Sequence, residues 1–282
     1  MPPKPLSRRA FLAGAGGLAA TAVLAPSVSA LPSKRQPLSP LVLSSDLYAS
    51  TDPQRLAFAI AKGSNFASVA PAQVALAPPG SNEGVVLDTT LHKAGLPKGR
   101  GVYVSEPVFD VPGVWSAVAL TQGRKVKFAV QVKEVAEAPA VGSAAPLVPS
   151  PTKAERLGVK PICTRVPKCP LHATSLGELA GTERPIAVLF ATPALCQSAY
   201  CGPVLDELLD LTRDYVDRID FVHVEIYRSN TGADVSPTVE AWGLPSEPWL
   251  YTIDATGTIT GRLDGAFGGD EMTTMLDALV GA

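Results

Sequence analysis

The sequence predicts an all-β sandwich followed by an α/β domain, and three observations lead to that class. Short apolar runs separated by Pro, Gly, Asn and Asp recur between Leu41 and Val132. A stretch poor in bulky apolar residues, Glu134 to Pro151, then interrupts the pattern. Beyond it, strand-like runs alternate with helical patterns, the order that builds β-α-β units. At 282 residues and 46% hydrophobic the chain can bury two cores, and its 27 prolines point to loops and linkers with few long helices. A net charge of −2 without any basic tract gives nucleic acid no surface to bind. The expected organisation is a signal peptide over 1–30, a spacer over 31–40, a sandwich over 41–135, a Pro/Ala-rich linker over 136–158 and an α/β domain over 159–282.

Lys4, Arg8 and Arg9 precede an uncharged run from Ala10 to Ala25, and small residues follow at Val28-Ser29-Ala30, where a signal peptidase cuts. Ser7-Arg8-Arg9-Ala10-Phe11-Leu12 looks like a twin-arginine export signal. The run is shorter than the roughly 20 residues that a membrane span needs, and it is rich in Gly and Ala. The expected location is therefore extracytoplasmic (periplasmic, cell envelope or secreted), with no membrane span in the mature chain.

In the sandwich region the runs at Leu41–Leu43, Arg55–Ala61, Gln73–Ala77, Gly101–Val104, Gly113–Leu120 and Val126–Val132 alternate apolar with small or polar residues. Antiparallel, immunoglobulin-like packing suits that pattern. The last two runs, joined across Thr121-Gln-Gly-Arg124, predict a hairpin. The region has no cysteine and a single histidine, His92, which reads as a solvated loop residue.

The second domain opens with Cys163-Thr-Arg-Val-Pro-Lys-Cys169-Pro-Leu-His172, where Pro167 and Pro170 deny a helix. In an oxidising compartment a structural Cys163–Cys169 disulfide is the default reading. A metal site on Cys163, Cys169 and His172 is the sharper alternative, but this segment shows no fourth ligand. Ser175 to Leu179 reads as a short helical or turn element.

Ile186 to Phe190 is apolar on both faces and too short for a helix, which suits a central strand. Pro203 is a good first helical residue, and Val204, Leu205, Leu208, Leu211 and Thr212 fall on one stripe, so a helix begins near Gly202-Pro203. Cys201 then sits at a helix N-terminus, where the dipole and free N–H groups favour a thiolate. On a continuous helix, Cys196 and Cys201 would be separated by about 7.5 Å of rise, beyond the roughly 7 Å reach of a disulfide. Pairing requires 196–200 to be loop.

Ile219 to Tyr227 alternates as a strand, and His223 within it reads as a packed strand residue. Ser236-Pro237 starts a helix that ends at Gly243. Pro245 to Leu263 reads as a hairpin and Asp270 to Leu279 as a closing helix.

Phe190-Ala-Thr-Pro193 followed by Tyr200-Cys201-Gly202-Pro203-Val204, with Glu247-Pro248-Trp249-Leu250-Tyr251 and Asp254-Ala-Thr-Gly257 further on, resembles the thioredoxin superfamily over about residues 160–282. The resemblance implies a thioredoxin-like fold, an attacking cysteine at Cys201 and a cis-proline at Pro248 facing it. Val204 stands where that family has its second cysteine, and Cys196 lies upstream instead. The implied activity is exported thiol–disulfide exchange on protein or small-molecule disulfides, with Cys201, Cys196 and Pro248 as its residues, a redox partner protein and no cofactor or metal. A non-catalytic binding or scaffold protein with structural disulfides is the alternative. Two further variants fit less well. A peroxiredoxin-like order has Cys196 attacking peroxide, but Thr192 lies four residues before it and not three; a Sco-type metal carrier uses a different cysteine spacing.

Overall fold

The structure, a computed structural model, describes residues 37–62, 65–66, 73–196 and 198–281. The twin-arginine segment lies outside the described residues.

In the N-terminal half, β1 (Leu38–Val42), β2 (Leu56–Lys62), β3 (Asn65–Phe66), β4 (Gln73–Ala77), β5 (Val85–Asp88), β6 (Thr90–His92), β7 (Val102–Ser105), β8 (Gly113–Thr121) and β9 (Arg124–Val132) form two antiparallel sheets. One runs β1-β2-β7-β6 with β3 beside β2; the other runs β5-β4-β8-β9. Alternate residues of both sheets meet in one apolar cluster, Leu56, Phe58, Ile60 and Tyr103 from the first against Val74, Leu76, Trp115 and Val130 from the second. Phe109 packs edge-on against Trp115 at 5.1 Å. The β8–β9 hairpin turns on Gln122 (φ 47) and Gly123 (φ 70), the left-handed pair that a two-residue hairpin turn requires. His92 departs from its expected place in a solvated loop. It ends β6 with a mostly covered side chain, and its Nδ1 lies 2.7 Å from Asp270 Oδ2, because β6 faces the C-terminal half.

In the C-terminal half, a four-stranded sheet has the order β11-β10-β12-β13, formed by β10 (Ile186–Ala191), β11 (Asp220–Glu225), β12 (Trp249–Ile253) and β13 (Ile259–Asp264). β10 pairs parallel with β11 and antiparallel with β12. Among the described residues the helices are α1 (Cys201–Tyr215), α2 (Pro237–Trp242) and α3 (Gly269–Val280), with a 3₁₀ turn at Leu176–Leu179. Strand β10 is buried at every position, as its apolar run requires. Ala187, Leu189 and Ala191 meet the α1 and α3 side with Leu205, Leu208, Met272 and Leu276. Ile186, Val188 and Phe190 meet α2 and the opposite layer with Val239, Trp242 and Tyr251. Gly243 closes α2 in the left-handed conformation (φ 58).

Within 136–158, expected as a linker, residues 142–145 run against the start of β13: Gly142 donates to Ile259 O (2.8 Å), Ile259 to Ser143 O (2.9 Å) and Ala145 to Gly257 O (2.9 Å). The two halves meet through buried charge. The Asp46 carboxylate, side chain 0% exposed, takes Lys133 Nζ and Arg262 Nη1 at 3.0 Å each, and the N–H groups of Glu137 (3.0 Å) and Ala138 (3.1 Å). Burial pushes its pKa up, and these four donors outweigh that, so its carboxyl is held below the ordinary value. Nearby, Arg55 grips Glu271 at 2.7 and 3.0 Å and the carbonyl of Ala266 at 2.7 Å. A cleft of about 730 Å³ between the halves is lined by Asp46, Arg55, His92, Arg262 and Glu271 and contains no cysteine.

Candidate functional site: two cysteine pairs at the end of the central strand

Strand β10 ends at Ala191, and Cys196 lies between it and the start of α1, with 192–196 and 198–200 outside helix and strand. Leu195 and Cys196 donate to Thr192 O at 3.2 and 3.0 Å, and Ala199 takes the left-handed conformation (φ 61), so the segment turns back on itself. The condition for pairing Cys196 with Cys201 is met at the described intervening residues: 198–200 are not helical. Tyr200 caps the helix and Cys201 is its first residue.

The electrostatics reverse the sequence expectation. Cys201 was expected to carry the lowered pKa; instead its sulfur is wholly buried, and burial first, then the neighbouring Cys196, push its thiol far up. The free N–H groups at the helix start point at Cys196. The Cys201 N–H donates to Cys196 Sγ at 3.4 Å, and Ser198 Oγ lies 3.2 Å from the same sulfur. With the Cys201 thiol as the largest influence, then Ser198 and the N–H groups of Cys201 and Tyr200, and with burial opposing, the Cys196 thiol falls to about 5. The helix-end field thus acts one turn upstream of where residue position alone puts it. Alkylation of Cys196 by iodoacetamide should accordingly follow a midpoint near pH 5, and Ser198→Ala should move it upward; a wild-type midpoint at the free-thiol value of about 8.5 would contradict this geometry.

The Glu247–Pro248 peptide is cis, and β12 begins at the next residue. The Glu247 carboxylate adds to the rise of Cys201, and Cys196, Cys201 and Glu247 together raise Tyr227, whose ordinary phenol value burial already lifts. These groups share one site. Arg100, from the loop before β7, donates to Ser198 O at 3.2 Å and lies 5.3 Å from the centre of the Tyr200 ring, so the N-terminal half touches the cysteine loop. Asp206, with its side chain 60% exposed, pairs with Arg165 at 2.6 Å.

The second pair lies behind this loop. Cys163, Cys169 and His172 come from the segment after residue 158, and His223 comes from β11; all four are at most 2% exposed. The Cys163 and Cys169 sulfurs are 3.8 Å apart, and all four cysteines are free thiols. His223 Nδ1 lies 3.3 Å from Cys169 Sγ, 3.9 Å from Cys163 Sγ and 3.1 Å from His172 Nε2. His223 is packed on its strand, as expected, but its ring faces sulfur. The Cys169 thiol, then His172 and His223, hold the Cys163 thiol well down against burial, and Cys169 is pushed up by Cys163 and burial. Two strand residues on from His223, Glu225 is 1% exposed, accepts the Thr164 N–H at 2.7 Å and is raised by burial. Its role, like that of His223 and Ser198, was not read from the sequence; the alternation Val222-His223-Val224-Glu225, which puts two polar groups on one face of a covered strand, was the available signal.

No family model matches the chain, and no curated protein matches it. Among solved structures, a thiol:disulfide interchange protein DsbE of Chlorobium tepidum is 14% identical with a TM-score of 0.37, over 50% of this chain and 98% of its own. A thiol:disulfide interchange protein of the thioredoxin family from Chlorobium tepidum TLS is 16% identical with a TM-score of 0.34, over 51% of this chain and 99% of its own. The Lin-41 filamin domain is 11% identical with a TM-score of 0.26, over 36% of this chain and 96% of its own.

Proposed function

We propose that the protein is an exported thiol–disulfide oxidoreductase in which Cys196 attacks and Cys201 resolves. The observation that carries this reading is the Cys201 N–H directed at Cys196 Sγ, which pairs an accessible low-pKa sulfur with a buried high-pKa one across a loop. The Cys196 thiolate attacks one sulfur of a partner disulfide; a mixed disulfide forms and the partner's other sulfur leaves as a thiolate. Cys196 is then uncharged, so one of the influences holding the Cys201 proton is gone. Cys201 gives up its proton to the departing thiolate and attacks Cys196 Sγ. The partner leaves as a dithiol, and the two electrons it has gained come from the Cys196 and Cys201 sulfurs, which are oxidised to the Cys196–Cys201 disulfide. Run in reverse, a partner dithiol attacks the Cys196–Cys201 disulfide, leaves as a disulfide and returns both cysteines to thiols; the cis Pro248 is the third residue assigned to the site. The pairing of this half with an immunoglobulin-like N-terminal sandwich, and export by Arg8 and Arg9 of the twin-arginine segment, complete the reading; among the described residues no helix is long and apolar enough to cross a membrane. Redox titration of the full chain with alkylation of free thiols tests it. A Cys196–Cys201 bond that opens and closes at a potential above about −300 mV is expected, and one that resists reduction below that value is a structural bridge.

A further inference from the structure

The second pair has a geometry that a disulfide does not explain. A disulfide holds its sulfurs about 2.05 Å apart, whereas Cys163 and Cys169 are 3.8 Å apart with two imidazoles pointed into the same space. With Zn–S near 2.3 Å and Zn–N near 2.0–2.1 Å, a tetrahedral zinc site has edges of about 3.8 Å between sulfurs, about 3.6 Å from sulfur to nitrogen and about 3.3 Å between nitrogens. The observed edges are 3.8 Å for the sulfurs, 3.3 and 3.9 Å from His223 Nδ1 to Cys169 and Cys163, and 3.1 Å between His223 Nδ1 and His172 Nε2. All four ligand atoms lie within 4.8 Å of one another. We propose that Cys163, Cys169, His172 and His223 form a closed, structural Zn²⁺ site, with β11 supplying the fourth ligand that the 163–172 segment lacks.

The surroundings suit that assignment. Ala191 O can only accept, so at 3.0 Å it fixes the proton of His223 on Nε2 and leaves the Nδ1 lone pair facing the sulfurs. Two thiolates and two neutral imidazoles around Zn²⁺ sum to zero charge, which a fully buried site requires. Four protein ligands leave no open position, so the ion is structural and not a reaction centre. What it holds is specific. The ligand segment is tied to β11 by His223 N–H to Leu171 O (2.8 Å), and Thr164, next to Cys163, accepts the Ala194 N–H (3.1 Å) two residues before Cys196. The ion therefore anchors the back of the loop that presents Cys196. Each ligating thiol releases its proton on binding, so uptake of one ion by the reduced protein frees up to two protons.

The site is independent of the exchange reaction and is tested apart from it. The full chain, purified under a phosphine reductant, is assayed for bound zinc and then loaded with Co²⁺ in place of zinc. One equivalent of zinc per chain is expected, with the intense visible d–d bands of tetrahedral cobalt–thiolate. Those bands should persist in the Cys196→Ser/Cys201→Ser double variant and be lost in Cys169→Ser and in His223→Ala. Since either ligand variant can fail to fold, the reduced wild-type chain is decisive by itself: substoichiometric zinc together with absent cobalt bands overturns the proposal. So does loss of the bands in the Cys196/Cys201 double variant, which assigns the ion to the exchange pair. Recovery of a Cys163–Cys169 disulfide by peptide mapping of chain isolated without reductant overturns it as well.

Discussion

Cys196→Ser should abolish exchange with a partner disulfide, lowering the rate by at least about 10³-fold, the scale on which loss of a covalent nucleophile acts. At pH 7 a thiol held near 5 is almost wholly thiolate, and no other sulfur at this site is both charged and accessible. Cys201→Ser should behave differently. Attack remains possible, resolution does not, and a mixed disulfide with the partner should accumulate on a non-reducing gel. Both variants are incubated with the same oxidised partner, so the comparison is internal. Adduct in Cys196→Ser and none in Cys201→Ser would restore the order that helix position alone suggests, with Cys201 attacking.

The second large effect concerns stability. Asp46→Ala should cost about 3–5 kcal/mol, because it leaves Arg262 and Lys133 facing a buried, empty position. For a chain of this size that corresponds to roughly 2–4 °C in Tm per kcal/mol. The pH dependence has a definite sign. The carboxyl is held below its unfolded value of about 3.9, so its contribution is complete above that value and is lost as pH falls through the lower folded one. Wild-type stability should thus decline below about pH 4 more steeply than that of Asp46→Asn, which lacks the titrating group. Urea unfolding across that range measures both, and an alanine variant within 1 kcal/mol of wild type would show that the network is not holding the halves together.

Much of the C-terminal half was legible because its signals are local. The apolar run of β10, Pro203 in the first turn of α1, Ser236 capping α2 with Pro237 as its first residue, and Gly243 after it each act within a few residues. The hairpin at Gln122-Gly123 was legible for the same reason. Strands β5 and β6 were not: Val85, Val86 and Thr90 are exposed, so no buried face wrote a period into the sequence. The direction of the thiol asymmetry was also hidden. It depends on which sulfur the N–H of Cys201 points at and on how deeply Cys201 is covered, and both are set by packing between α1 and the sheet. His223 was visible as a strand residue, but its neighbours Cys163 and Cys169 lie more than 50 positions away. Asp46 and Arg262 are separated by 216 positions, so nothing local marked them as partners.

The backbone along the two flanks of the central sheet bears on how a partner can be met. On the β13 side Gly142, Ser143 and Ala145 already occupy ladder positions, and on the β11 side Leu171 O takes the amide of His223. Proteins that capture extended peptides by strand addition offer them an unpaired row of amides and carbonyls. Here the chain occupies positions in those rows with its own residues, at Thr258 and Ile259 on one flank and at His223 on the other. Under the proposed exchange reaction, strand addition at those positions is closed to a client peptide.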